Sequence, residues 1–262
     1  MRIQVFVSLL LALCGPLSLA RNTVAADGRL HADGPELALS LDGGRVLRGA
    51  DLVGVQLVFA GRYGQTQVEI VGFTEDETAT GGPIPLYSLL LSGADQPPRN
   101  LCRPDSRGRH AGIALPDGEG GFTFTCTSGA EGKCVLMGYR PWESRDGIPM
   151  RDLHRACVHM LRADYGGDDH PTTRDGTSVD IFDRFGIQKS ERADGMQFEA
   201  AWGTEGAVCV AHPRIAQNVS LARIAEDHPR LAGRLGPEHC SFERMQAEPR
   251  ALLFNHSFPE AR

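Results

Sequence analysis

The chain has 262 residues, the length of one large domain or two small ones. Its 27 basic and 33 acidic residues give a formal net charge of −6, which argues against a nucleic-acid-binding protein, because such a protein needs a basic face. Hydrophobic residues make up 41% and charged residues 23%, ordinary values for a globular protein, so the composition excludes a disordered, collagen-like or polytopic membrane chain.

The amino terminus has the features of a secretory signal peptide over residues 1–20. Arg2 supplies a positive charge, residues 5–13 are apolar, and residues 18–20 (Ser-Leu-Ala) place small side chains at positions −3 and −1 of a cleavage site. Cleavage after residue 25 or 26 is a second option. An uncleaved anchor is disfavoured because a spanning helix needs about 20 apolar residues. We therefore expect an exported protein, periplasmic or extracellular, with no membrane span after cleavage.

The first half of the chain is predicted to be rich in β-strands. Residues 21–35 are small and polar and predict a flexible leader, followed by a β-rich region over residues 36–126. Asp42-Gly43, which follows an alternating apolar run, indicates a hairpin turn. Residues 92–109, with two consecutive prolines, indicate a loop. The predicted strands are residues 37–41, 55–59, 67–73, 86–91, 110–115 and 122–126.

The second half, residues 127–257, is predicted to mix helices and strands. Its best helix covers residues 149–163, because Leu153, Cys157 and Met160 recur at helical spacing and form one apolar stripe. Strands are predicted at residues 178–183, 196–201 and 207–211, a short helix at 220–226, and a partly helical stretch at 240–254. The expected fold class is α+β, with a strand-rich first half and a disulfide-stapled second half that form two regions or one continuous domain.

The cysteine count predicts disulfides. Cleavage removes Cys14, and Leu13 stands where a lipoprotein signal needs a small residue, so lipid attachment there is disfavoured. An even number in an exported chain favours three bridges, and the absence of any CxxC disfavours zinc. Six cysteines allow 15 pairings, and the sequence does not choose among them. The six are Cys102, Cys126, Cys134, Cys157, Cys209 and Cys240.

The common catalytic signatures are absent from the sequence. It contains no GxSxG, HExxH or GxGxxG motif and no complete P-loop. These absences disfavour the common hydrolase and nucleotide-binding classes, although a catalytic triad can be spread through a sequence without a local motif. No cofactor is predicted, and the catalytic residues, if there are any, are unknown.

One acidic segment, residues 164–183, is the strongest candidate for chemistry. We favour a structural interpretation, because aspartate side chains accept hydrogen bonds from nearby backbone N–H groups in turns. The alternatives are a cation site at Asp168, Asp169 and Asp175, or acid–base chemistry with His170. The aspartates of the segment are Asp164, Asp168, Asp169, Asp175, Asp180 and Asp183.

Several strings resemble those of the ADYC-domain proteins, exported bacterial proteins named after an Ala-Asp-Tyr-Cys motif. The resemblance is strongest over residues 122–212 and thinner up to 257. It implies an exported, cysteine-bearing domain of uncharacterised function, so it supplies no catalytic residues. The matching strings are residues 138–142 (GYRPW), 156–165 (ACVHMLRADY), 173–177 (TRDGT), 181–188 (IFDRFGIQ), 198–202 (FEAAW), 206–210 (GAVCV) and 251–255 (ALLFN).

The chain departs from the family pattern at two positions. Gly166 stands in place of the cysteine of the motif, and the resemblance also implies a cysteine just before the Pro-Arg-Leu string, where this chain has His228. If those cysteines are partners in the family, both have been lost here. We therefore expect Gly166 and His228 to be neighbours, with Cα atoms within about 7 Å.

The sequence as a whole favours a non-enzymatic binding or interaction module of the cell envelope or the extracellular space, with an envelope ligand among its expected partners. The alternative is a hydrolase or metal-dependent enzyme that uses the Asp/His-rich loop of residues 164–183. The sequence identifies neither the partner nor the oligomeric state.

Overall fold

The structure, a computed structural model, describes residues 4–8, 23–26, 28–61, 64–93, 96–118, 120–145 and 147–259. The chain divides after Gly132 into two compact units. The predicted signal peptide lies outside the described residues except for the strand Gln4–Ser8. In the described part of the chain, no helix combines the length and the hydropathy that crossing a bilayer requires.

The first unit is built from two antiparallel sheets. The larger sheet has the strand order β11-β10-β8-β7-β6-β1-β2, with β9 paired to β8 outside that path, and the smaller sheet has the order β3-β4-β5. The strands are β1 (Gln4–Ser8), β2 (Thr23–Ala26), β3 (Gly28–Asp33), β4 (Glu36–Leu41), β5 (Val46–Arg48), β6 (Gln56–Gly61), β7 (Gly64–Asp76), β8 (Ile84–Gly93), β9 (Gln96–Asn100), β10 (Gly112–Pro116) and β11 (Phe122–Cys126). A 3-10 turn, Gly49–Leu52, precedes β6.

Alternating leucines form the centre of this unit. Leu37 and Leu39 of β4 are fully buried, and they pack in one cluster with Leu57 of β6 and Ile70 of β7. The predicted hairpin is confirmed, since β4 and β5 pair on either side of the Asp-Gly-Gly turn. The alternating leucines therefore point into the core as their spacing indicates, and Ala38 between them is buried as well.

Two segments of this unit differ from the predicted pattern. Residues 28–33, expected to be part of a flexible leader, form β3 and pair with β4 over six positions. Residues 96–100, expected to be loop, form β9, whose one partner strand among the described residues is β8. Two prolines are compatible with β9 because a strand with one neighbour leaves backbone N–H positions without a sheet partner.

The second unit has one four-stranded antiparallel sheet, in the order β12-β15-β13-β14, and most of the helices. Its elements are α1 (Ala130–Leu136) at the boundary of the units, α2 (Met150–Arg162), β12 (Val179–Asp183), β13 (Gln197–Gly203), β14 (Gly206–Val210), α3 (Leu221–Asp227), a 3-10 turn Pro229–Leu231, α4 (Phe242–Met245) and β15 (Leu253–Ser257).

Helix α2 packs its apolar stripe into the core of this unit. Leu153, Cys157 and Met160 are fully buried and belong to one cluster with Tyr139 and Trp202. The predicted helix is thus confirmed within one residue at each end. The stripe faces inward because residues three and four positions apart share one side of a helix.

Strand β15 and helix α1 were not predicted. The segment of residues 240–254 was expected to be partly helical, and it contains only the short α4 before β15 begins at Leu253. All five residues of β15 are buried, because hydrophobic clusters cover both faces of the strand: Leu253 belongs to the cluster of Trp202, and Phe254 to that of Phe182. A strand covered on both faces shows no alternation in sequence, so its pattern does not distinguish it from a helix.

The six expected disulfide cysteines form three bridges. Cys102–Cys126 lies in the first unit, whereas Cys134–Cys157 and Cys209–Cys240 lie in the second. Cys134–Cys157 joins α1 to the buried stripe of α2, and Cys209–Cys240 joins β14 to the segment before α4. The Cα atoms of the three pairs are 5.4, 5.9 and 5.5 Å apart, within the normal reach of a disulfide.

Candidate functional site

The Ala-Asp-Tyr turn, residues 163–165, comes directly after α2. Ala163 caps the helix in the left-handed conformation, with φ 49° and ψ 42°, and its N–H donates to the carbonyls of His159 and Met160. Glycine is usual at such a position because a Cβ is disfavoured there. The contacts of Asp164 and Tyr165, rather than the local preference of Ala163, therefore hold the turn.

Asp164 binds the next turn of backbone. Its carboxylate accepts N–H bonds from Gly167 at 2.9 Å, Asp169 at 3.1 Å and Asp168 at 3.3 Å, and it lies 3.0 Å from Nδ1 of His159. Burial by itself would raise the pKa of Asp164, but the contact with His159 and the N–H bonds outweigh it and lower the pKa to about 2. The motif aspartate is thus a buried, ionised anchor for this turn.

Tyr165 connects the turn to the core of the second unit. Its ring stacks on Trp202 with centroids 5.3 Å apart, and its hydroxyl donates to Oε1 of Glu199 at 3.0 Å. The same hydroxyl oxygen accepts the backbone N–H of Arg214 at 2.8 Å. Burial raises the pKa of Tyr165 well above its ordinary value, with the charge of Glu199 adding to the effect, so the hydroxyl stays protonated and donates.

Glu199 and Arg214 form a fully buried ion pair. Nε of Arg214 lies 3.0 Å from Oε2 of Glu199, and Nη2 lies 3.0 Å from Oε1, a two-point contact. The guanidinium also donates to the carbonyls of Met160 and Leu161, while Asn255 donates to Oε2 at 2.7 Å. Burial would raise the pKa of Glu199, but Arg214 outweighs it and holds the pKa below its ordinary value. The charges are compensated within this cluster.

The exposed aspartates of the acidic segment do not converge. Asp169 pairs with Arg162 at 2.7 Å, and Asp168 lies 3.3 Å from Nδ1 of His170. Asp175 is exposed in a separate turn. Among the described residues, no group of three or more His, Cys, Asp or Glu side chains is arranged to hold a metal ion.

The other two aspartates of the segment also bind backbone. Asp183 accepts N–H bonds from the loop after β12, the shortest being 2.6 Å from Gln188, and the hydroxyl of Tyr139 donates to it at 3.0 Å. Asp180 accepts the N–H of Glu191 at 2.7 Å and lies 2.8 Å from Nδ1 of His256. The contacts of Asp183 match the turn-forming role favoured from the sequence, whereas Asp180 lies within β12 and its contacts are with residues distant in sequence.

The family departure at Gly166 has a steric counterpart. The imidazole of His228 lies so close to Gly166 that a Cβ at position 166 would overlap its Cε1. The structure therefore places the two positions side by side. With His228 in this place, any larger residue at position 166 requires the imidazole to move.

A cavity of about 360 Å³ lies beside this turn in the second unit. Part of its wall is the turn between β13 and β14, residues 203–206. Arg230 connects that wall to the motif, because its Nη2 donates to the carbonyls of Tyr165, Gly166 and Glu205. The cavity and the Ala-Asp-Tyr turn are thus parts of one hydrogen-bonded arrangement.

The residues at the centre of this arrangement were not identified from the sequence. Glu199 carried one usable signal, since it is a single charge within an otherwise apolar strand string, residues 198–202. A charge in a buried strand needs a partner of opposite sign. Arg214 and Arg230 lie in irregular or short segments without a periodic pattern, so no comparable signal points to them.

Comparison with known proteins identifies the family and no closer relative. The family model described as the ADYC domain matches residues 49–216, well over half of the chain. No curated protein and no solved structure matches it. The predicted ADYC-like region covered residues 127–257. The match begins earlier, at residue 49, and ends earlier, at residue 216. The family domain thus includes much of the strand-rich unit, whose alternating strands lack distinctive strings. The chain belongs to the ADYC-domain family.

Proposed function

We propose that this protein is an exported, disulfide-stabilised binding module of the bacterial cell envelope or extracellular space. Its ligand site in this proposal is the cavity beside the Ala-Asp-Tyr turn. The observation that carries the proposal is the cavity itself, whose volume lies within the range of about 300–1,000 Å³ typical of small-molecule sites.

Export is supported by the disulfides and by the amino-terminal pattern. Three bridges persist only in an oxidising compartment such as the periplasm or the extracellular space. The test is amino-terminal sequencing of the protein recovered from the periplasm or medium of the producing bacterium. We expect a first residue between Arg21 and Asp27. A soluble cytoplasmic product that still begins at Met1 would contradict export.

A binding role fits the state of the buried ionisable groups. Asp164 and Glu199 are held ionised by hydrogen bonds and opposite charges, and both are fully or almost fully buried. A general acid or base needs a pKa near the operating pH and contact with substrate, which neither group offers. The cavity, in contrast, is open to a ligand.

The binding proposal is tested by native mass spectrometry of protein purified gently from the periplasm, followed by thermal melts with any small molecule that co-purifies. We expect a bound molecule whose stabilising effect disappears in Thr204→Tyr, which places a larger side chain in the cavity wall. Thr123→Tyr, on an exposed face of β11, is the matched control. Stabilisation that survives Thr204→Tyr would place the site elsewhere.

One contact favours the enzymatic alternative. His159 has Nδ1 held by Asp164, and its buried Nε2 has no hydrogen-bond partner among the described residues. An Asp–His pair with an unpaired Nε2 is the arrangement of a general base, and this role requires a movement that brings the buried Nε2 into contact with a substrate. The test is a hydrolase substrate screen of the parent and His159→Gln. Turnover that is lost in this variant while the melting temperature is kept would favour an enzyme.

A further inference from the structure

The cavity wall carries charges of both signs. Three arginines line it, all from the segment after α3: Arg230, Arg234 and Arg250. Two carboxylates line it as well, Asp152 from the first turn of α2 and Glu205 from the turn between β13 and β14. The positive and negative groups therefore come from different elements of the second unit.

The arginines are only partly neutralised by the protein. Arg250 donates to both oxygens of Glu248, from Nε and from Nη2 at 3.0 Å each, and Nη1 of Arg234 lies 3.4 Å from the same carboxylate. Arg230 donates to main-chain carbonyls, and it forms no ion pair with a carboxylate among the described residues. Burial and the charge of Arg250 both lower the pKa of Arg230, whereas Glu205 opposes that shift. A ligand carboxylate would relieve this repulsion between guanidinium groups.

Among the described residues, neither carboxylate of the wall has a close cationic partner, although Glu205 interacts at longer range with the charges of Arg230 and Arg250. Asp152 and Glu205 are both exposed, and neither forms an ion pair within 4 Å in the described part of the chain. Asp152 and Glu205 would repel a ligand that carried only negative charge. A ligand with one group of each sign satisfies both sets of charges.

Between these charges the wall is apolar and of limited size. Ala207, Val208, Pro249 and Leu252 contribute to it. The volume of about 360 Å³ lies at the small end of the range for ligand sites. This space suits a compact aliphatic body and is small for a large ring system or a chain of several sugars.

We propose that the cavity binds a small zwitterion with an aliphatic body, namely a free aliphatic amino acid or a dipeptide. The arginines bind its carboxylate through charge-assisted N–H bonds, since a guanidinium carries more N–H donors than Glu248 and the main chain occupy on Arg234 and Arg250. Asp152 and Glu205 bind its ammonium group, and the apolar wall contacts its side chains. This ligand class belongs to the site of the proposed function and rests on that function.

The experiment measures the affinity of the whole mature protein for four forms of one dipeptide, Ala-Leu, by isothermal titration calorimetry. The forms are the free dipeptide, its carboxy-terminal amide, its N-acetyl derivative and the doubly blocked compound. Each block removes one charge and keeps the aliphatic body. We expect the free dipeptide to bind and each single block to weaken binding by about tenfold or more, as the loss of a charge-assisted hydrogen bond predicts.

Two variants assign the contacts. Arg250→Gln should weaken the free dipeptide by about tenfold while it leaves the affinity for the amide unchanged, because the amide lacks the group that Arg250 binds. Glu205→Gln should weaken the free dipeptide by about tenfold and leave the affinity for the acetylated form unchanged, because that form lacks the ammonium group that Glu205 binds. Both side chains are exposed, so the fold should tolerate the changes. Arg223→Gln and Glu226→Gln, an exposed pair on α3, are matched controls.

The outcomes separate the zwitterion proposal from the proposed function. If the doubly blocked compound binds as tightly as the free dipeptide, or if Arg250→Gln weakens all four forms equally, the zwitterion proposal is wrong and the binding module stands. The absence of binding by every form also overturns the zwitterion proposal. The proposed function is then judged separately, by the molecule that co-purifies from the periplasm.

Discussion

At the scale of single residues, the Glu199–Arg214 pair places two opposite charges inside the core of the second unit. Both side chains are almost completely inaccessible, with 0% and 1% exposed. Taking two charges out of water is costly, and close two-point contact offsets that cost only while both partners are present. The pair is therefore far more sensitive to the loss of one member than of both.

We predict that Arg214→Met lowers the free energy of unfolding by about 3–5 kcal/mol, because it leaves Glu199 buried without a counter-charge. Urea unfolding followed by tryptophan fluorescence measures the loss. The double variant Glu199→Gln/Arg214→Met is the control, and it should recover a large part of that energy since no charge stays buried. A single-variant loss below about 1 kcal/mol would contradict this account of the pair.

A second residue-scale prediction concerns acid stability and Asp164. The folded pKa of about 2 lies below the ordinary value of 3.8, so the stabilisation is complete above pH 4. It is lost as the pH falls from about 4 towards 2, where the folded state must also take up the proton. After allowance for screening by water, we expect Asp164 to contribute about 1–2 kcal/mol of this pH dependence.

Urea unfolding at a series of pH values between 7 and 2 checks this prediction. Asp164→Asn should be less stable than the parent at pH 7, and its stability should fall less steeply below pH 4. Asp175→Asn, a change at an exposed turn, should keep the parent's slope. Equal slopes for the parent and Asp164→Asn would show that Asp164 is not the linked group.

At the scale of elements, helix α2 organises the second unit. Its stripe faces the sheet, its last turn supplies His159, and the Cys134–Cys157 bridge attaches it to α1. The Ala-Asp-Tyr turn begins where this helix ends. The position of the turn, and that of Asp152 in the cavity wall, therefore depends on how firmly α2 is held.

We predict that Cys134→Ala/Cys157→Ala lowers the free energy of unfolding by about 2–4 kcal/mol, the usual contribution of a disulfide of this loop length. Tryptophan fluorescence is a suitable probe, because both tryptophans, at positions 142 and 202, lie in the second unit. Parent protein in reductant is the comparison. A variant as stable as the oxidised parent would show that packing alone holds α2.

At the scale of the whole molecule, two compact units each have a core of their own and at least one disulfide. The family domain extends over residues 49–216 and thus includes parts of both. The cavity and the motif turn belong to the second unit, while the first unit consists of sheets packed on leucine-rich faces.

The whole-molecule prediction concerns its redox state. All six cysteines outside the predicted signal peptide are bridged, so reduction should raise the intact mass by about six daltons, two hydrogens for each bond. Intact-mass spectrometry of the native protein with and without reductant measures this change. Two or more alkylatable thiols in the unreduced protein would refute complete pairing.

The elements that could be predicted before the fold was known are those whose signal is local. Alternating strands such as β4 and β7, the stripe of α2, the even number of cysteines and the family strings can all be read without knowledge of distant partners. Each of these signals depends on the strand period of two residues, on the helix period of nearly four residues, on a short string of residues, or on composition. The turn-forming role of Asp164 belongs here as well, because its N–H donors lie within five residues of it.

The pairings between residues distant in sequence became visible in the folded chain and not before. Cys209 bonds to Cys240, Glu199 pairs with Arg214, and the cavity brings Asp152 together with Arg250. Strand β15 belongs to the same class, since burial on both faces removes the alternation that identifies a strand. Long-range contacts depend on how whole elements pack. A local pattern of residues indicates which face of an element is buried, but it does not specify which distant element packs against that face.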